Sequence, residues 1–155
     1  MGTVDLVAHR MELTYAGAML LVESAIERAT AMGEPQCIAV VDRGGNLVAF
    51  ARMDGAKYLS VHTALTKAKA AASLGKPTWE VDEHVGVRLA LASGGALTAL
   101  KAGIPIRAAD TVIGGIGVAS GTAEDDMDVA RYAVAAFEAA LGAAPREPRG
   151  GDAAG

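Results

Sequence analysis

Residues 37–56 read CIAVVDRGGNLVAFARMDGA. Two β-rich runs, Cys37 to Val41 and Leu47 to Ala51, flank Asp42-Arg43-Gly44-Gly45-Asn46. Glycine and asparagine tolerate positive φ, so the connection reads as a hairpin loop. A loop this short cannot join parallel neighbours, and the two runs therefore pair antiparallel. Residues 104–121, IPIRAADTVIGGIGVASG, repeat the arrangement: two short extended runs meet at Ala109-Asp110, the second running from Thr111 to Val118.

Around the hairpins the apolar spacing becomes helical. Thr14 to Met32 carries Ala18, Leu21, Val22, Ala25, Ile26 and Ala29 on one side, with Thr14 as N-cap and Gly33 just past the end. LSVHTALTKAKAAASLG, Leu59 to Gly75, follows the Asp54-Gly55 turn and stops at Gly75 and Lys76-Pro77. A further helix is expected from Thr78 to Ala92, capped by Thr78, and a last one from Ala123 to Leu141. The last places Val129, Tyr132, Ala133, Ala136 and Phe137 inward and opens on Glu124-Asp125-Asp126, acids that suit the positive end of the helix dipole. The order helix, hairpin, two helices, hairpin, helix predicts an α+β domain with an antiparallel sheet. Residues 1–12 read as an N-terminal extension, 13–142 as one domain, and 143–155, ending PREPRGGDAAG, as a disordered tail without apolar periodicity.

Composition narrows the function. A chain of 155 residues matches one domain. It is 52% hydrophobic and only 4% aromatic, so the core is aliphatic. A formal charge of -4 and the absence of a basic run argue against nucleic acid as partner. No stretch reaches the length and apolarity of a membrane span, and no secretory leader pattern opens the sequence, so a cytoplasmic location is expected. The single cysteine, Cys37, begins an apolar strand and reads as a small buried hydrophobe. His9, His62 and His84 have none of the spacings that set two imidazoles on one metal, and no metal site is expected.

On a wheel of the Leu59–Gly75 helix, Val61, Leu65, Ala68 and Ala72 form the buried stripe, extended by Ala64 and Ala71. His62, Thr66, Lys69 and Ser73 form a second stripe, so His62 and Thr66 meet at one turn's spacing, while Lys67 lies on the other flank. This polar face is either solvated or the wall of a site in which His62 acts as a ligand or general base. In GIPIR, Gly103 to Arg107, Pro105 holds Ile104 extended, Gly103 admits close backbone approach, and Arg107 offers a fork for a carboxylate; an edge strand with a surface arginine is the alternative. Arg52, Met53 and Asp54 close the first hairpin, with Arg52 either an anchor for an acid group or surface charge. The glycines of GGIGVASGT lie inside a strand as well as after it, which speaks for close backbone packing and against a dinucleotide fingerprint. Asp125 and Asp126 read as serving the helix terminus.

Taken together, CIAVVDRGGNLVAFARMDGA, the Ser60, Ala64, Lys67-Ala68, Ala71-Ala72, Gly75 pattern, GIPIR and IGGIGVASGTAEDD resemble, in order and spacing, the GlcG/HbpS-like family, which includes the C-terminal domain of PduO-type proteins. The resemblance covers about Leu13 to Leu141 and implies profilin-like α/β/α layers with a central antiparallel sheet, assembled as a homo-oligomer of two or more copies. It also implies a small-molecule ligand, haem or a related tetrapyrrole foremost, and a pocket at a subunit boundary. The pocket would use Arg52, Asp54, Thr66 and Gly103-Ile104-Pro105-Ile106-Arg107, with a role for Lys67 as well. His62 stands where many relatives are expected to carry an acid. The competing expectation is a cofactor-independent isomerase, hydrolase or cyclase with His62 as acid/base and Arg52, Lys67 or Arg107 holding an anionic substrate; His62 and Lys67 are the candidate catalytic residues.

Overall fold

β1 (Cys37–Asp42) and β2 (Leu47–Arg52) form the first hairpin, and β3 (Gly103–Ala108) and β4 (Thr111–Ala119) form the second. β1 pairs antiparallel with β4, joining the hairpins into one sheet of order β2-β1-β4-β3. The computed structural model describes residues 4–144; of the tail expected over 143–155, Ala143 instead ends the last helix, and 145–155 lie outside the described residues. The second hairpin turns on Ala109 (φ 45°) and Asp110 (φ 64°), the paired left-handed conformations of a type I′ turn.

Of the four helices among the described residues, three cover the sheet. α1 (Tyr15–Met32) is capped by the Thr14 hydroxyl, which accepts from the Gly17 amide at 3.1 Å, and ends on Gly33 at φ 71°. α2 (Ser60–Leu74) ends on Gly75 at φ 66°. α4 (Ala123–Ala143) opens on Thr122, whose hydroxyl accepts from the Asp125 amide at 3.2 Å. The helix expected from Thr78 to Ala92 is instead a 3-10 turn at Thr78–Glu80 followed by α3 (Glu83–Ala92), with Asp82 as cap. Thr78 cannot cap that helix because its buried hydroxyl donates to the Leu100 carbonyl at 2.6 Å and accepts from the Gly103 amide at 3.0 Å. Tyr132, expected inward, lies on the surface between α4 and α1. Its hydroxyl donates to Glu27 at 2.9 Å, and Arg28 sits over its ring at 5.9 Å. Among the described residues no helix is long and apolar enough to cross a membrane.

The two faces of the sheet differ in side-chain size. Toward α1 and α4 it presents Ile38, Val40, Ile104, Ile106, Ile116 and Val118, which pack with Leu21, Val22, Val129 and Phe137. Toward α2 it presents Cys37, Ala39, Val41 and Ala119 with glycines between them, against Ala64, Ala68 and Ala72. A Cβ on Gly103, Gly115 or Gly117 would meet the carbonyl oxygen of Lys67, Ala68 or Ala64. The close packing read from GGIGVASGT is therefore contact between β4 and α2.

Gly117→Ala should lift α2 from the sheet and cost about 3 kcal/mol or more in urea unfolding, because backbone on the opposing side cannot yield as a side chain can. Gly142→Ala, in α4 with nothing within 4 Å of the added carbon, should be neutral or stabilising by up to about 1 kcal/mol. Equal costs at the two positions would refute the close-approach account.

Candidate functional site

The first turn of α2 lies at the end of the sheet where β1 begins and β4 ends. Two contacts fix it there: the Lys57 amide donates to the Ser120 hydroxyl at 2.9 Å, and the Cys37 thiol reaches the Lys57 carbonyl at 3.7 Å. His62 is exposed on this turn, and its ring takes part in no hydrogen bond among the described residues. Tyr58 and Leu59, one turn earlier, are 82% and 66% exposed. An imidazole beside two uncovered apolar side chains is therefore presented outward.

The rest of the polar stripe departs from its sequence reading. Thr66 is buried and its hydroxyl donates to the Thr63 carbonyl at 3.0 Å, so it turns inward instead of meeting His62. The sheet encloses a wider arc of α2 than the apolar stripe defines: Ala70 is buried, while Val61 and Leu65 are only half-buried.

Lys67 is fully enclosed. Its ammonium donates to the Val118 carbonyl at 2.7 Å and to Asp126 Oδ2 at 3.0 Å, with both side chains at most 6% exposed. Asp126 Oδ1 accepts from the Gly121 amide at 2.9 Å, which also donates to Gln36 Oε1 at 3.2 Å. Gln36 is buried, and its Nε2 has no hydrogen-bond partner among the described residues. Burial pushes the Lys67 ammonium below the usual lysine range, against the opposing pull of Asp126. Burial likewise pushes the Cys37 thiol up. Asp126 thus holds a buried cation and does more than face the dipole of α4. The sequence carries a signal for this, since Asp126 shares the spacing of Ala130, Ala133 and Phe137, the inner stripe of α4. Gln36 carries no comparable signal, because it precedes β1 outside any periodic run.

The other expected site residues lie outside α2, on β2, the turn after it and β3. Arg52 is exposed at the end of β2, opposite Cys37 in register, and Asp54 is exposed in the turn that follows. Gly103, Ile104, Pro105 and Ile106 are buried in the edge strand β3. Arg107 is exposed at the far end of α2, where it donates to the Gly75 carbonyl and, at 3.2 Å, to the Asp110 carbonyl. Its fork caps α2. From His62 to Gly75 the helix rises roughly 20 Å, so one chain does not bring His62 and Arg107 together. Among the described residues no three His, Cys, Asp or Glu side chains gather as a metal site.

The sequence pattern of the family described as haem degrading protein HbpS-like matches residues 13–135. The chain is 31% identical over 130 residues to a 15.0 kDa protein from the dhaT-dhaS intergenic region of Citrobacter freundii, covering 81% of this chain and 92% of that one. It is also 31% identical over 122 residues to the corrinoid adenosyltransferase PduO of Salmonella typhimurium, covering 76% of this chain but only 36% of that enzyme. The crystal structure of Klebsiella pneumoniae ORFY superposes with a TM-score of 0.84 at 29% identity, covering 89% of this chain and 99% of that one. The crystal structure of a PduOC:heme complex superposes at 0.75 and 28% identity, covering 81% and 95%.

Lys67→Ala would leave the Asp126 carboxylate buried without its cation and should cost about 3–5 kcal/mol in urea unfolding. The double variant Lys67→Met with Asp126→Leu, which removes both charges, should recover much of that loss. A single variant no more costly than Lys76→Ala, which removes an exposed ammonium, would contradict the role given to the pair.

Proposed function

Because the chain belongs to the family described as haem degrading protein HbpS-like, we propose that it is a small-molecule-binding protein whose ligand is haem or a related tetrapyrrole, held at His62 on the outer face of α2. The observation that carries this reading is the His62 imidazole, exposed and unengaged beside the uncovered side chains of Tyr58 and Leu59. A haem-like macrocycle would need a donor for its iron, apolar surface for its faces and cations for its carboxylates. His62 would offer the donor, and Tyr58 and Leu59 the apolar surface. Arg52 and Lys57, both exposed at the same end of the sheet, would offer the cations. Bound iron would bring one-electron and oxygen chemistry to this position.

The residues of the chain orient such a ligand. The Lys57 contacts to Ser120 and Cys37 tie the segment before His62 to the ends of β1 and β4. Lys67 stands behind that surface as a positioning residue, since its ammonium is occupied inside the protein. A helix face covers only one side of a flat ligand, so a second copy of the chain would complete the pocket.

Haem titration of the purified protein should give a saturable Soret band at micromolar haem. His62→Ala should weaken binding about tenfold or more and move the band, whereas Arg52→Gln should weaken it roughly twofold to fivefold with the band in place. No saturable band, or an identical titration for His62→Ala, would sink the proposal.

A further inference from the structure

The second half of α2 meets the first hairpin loop at a cavity of about 350 Å³ lined by Arg43, Asn46, Lys69, Ser73, Ala96 and Leu97, with Gly44 and Gly45 at its floor. We infer that this cavity is a binding site for a small oxyanion, a carboxylate or phosphate group carried by a metabolite with a short apolar part. Arg43 comes from the loop and Lys69 from α2, and they line one cavity without either meeting a carboxylate at ion-pair distance among the described residues. Among the described residues no acidic side chain lines it. Asp42, the neighbouring acid, is turned into the loop, where Oδ1 accepts from the Gly44 amide (2.9 Å), the Asn46 amide (2.9 Å) and Asn46 Nδ2 (3.2 Å).

Those bonds fix the loop beside α2, where a Cβ on Gly45 would lie at ordinary contact distance, 3.6 Å, from Lys69 Cγ. Gly45 sits at φ 80°, a conformation that glycine adopts without strain. Two cations held by separate elements and left unneutralised are an arrangement that an oxyanion completes. The Ser73 hydroxyl adds a neutral donor. Ala96 and Leu97 supply the apolar wall, positioned by the Ser93 hydroxyl, which accepts from the Leu97 amide at 3.0 Å. The site does not depend on the haem reading, because His62 lines no part of this cavity.

The test is NMR titration of the haem-free protein, 15N-labelled, with acetate, butyrate and inorganic phosphate at constant ionic strength. Saturable shifts confined to the Gly44, Gly45, Lys69 and Leu97 amides are expected. Lys69→Gln and Arg43→Gln should each weaken binding roughly fivefold, and Lys76→Gln, outside the cavity, should leave it unchanged. Butyrate binding more tightly than acetate identifies the group as a carboxylate against the Ala96 and Leu97 wall; phosphate binding more tightly than either identifies a phosphate ester. Shifts that do not saturate with any of the three, or that Lys76→Gln weakens as much as Lys69→Gln does, overturn the inference.

Discussion

The contact between α2 and β4 sets the positions of the other layers. Each of three helix carbonyls, from Ala64, Lys67 and Ala68, lies where a glycine of the sheet would otherwise carry its Cβ. They therefore face Cα–H groups at a separation only glycine permits, a recurring geometry in which weak Cα–H···O contacts add to packing. Alanine and glycine bury little apolar area per residue, and the bulk of the hydrophobic stabilisation comes from the opposite face, where isoleucines and valines meet α1 and α4. One face thus supplies most of the driving force, while the other fixes where α2 lies.

The close approach explains the buried ion pair. With the α2 interface built from small residues, Lys67 is the long side chain that crosses the end of the sheet from α2 to α4. Desolvation offsets much of the attraction between Lys67 and Asp126, so the pair's main consequence is positional. It ties α2, β4 and α4 together at the edge where the backbone is least regular, beside Ser120 at φ 119°. That edge is also the backing of the turn that presents His62.

What could be read from the sequence follows the range of the interactions concerned. The hairpins and the caps at Thr14, Gly33 and Gly75 are specified by a few adjacent residues, and they stand as their turn and cap chemistry requires. The glycines of β4 were legible as close packing because no nucleotide-binding context surrounds them. The Lys67–Asp126 pair joins residues 59 positions apart, and no local pattern on α2 announces that a lysine points inward. Thr66 was misplaced for a related reason, since a wheel locates the centre of the buried arc and not its width. Thr78 and Arg107 both carried out local roles nominally open to other residues: each hydrogen-bonds backbone from a segment distant in sequence, which spacing along one helix cannot reveal.

The unequal faces of the sheet separate the residues that can vary from those that cannot. The inner surface of α2 is constrained at atomic scale, because the sheet glycines meet its backbone carbonyls. Its outer surface, with His62 and Ser73, takes no part in the close approach of the sheet glycines to the helix backbone. Change of ligand among proteins built this way can therefore proceed by exchanging exposed side chains on a rail whose track does not move.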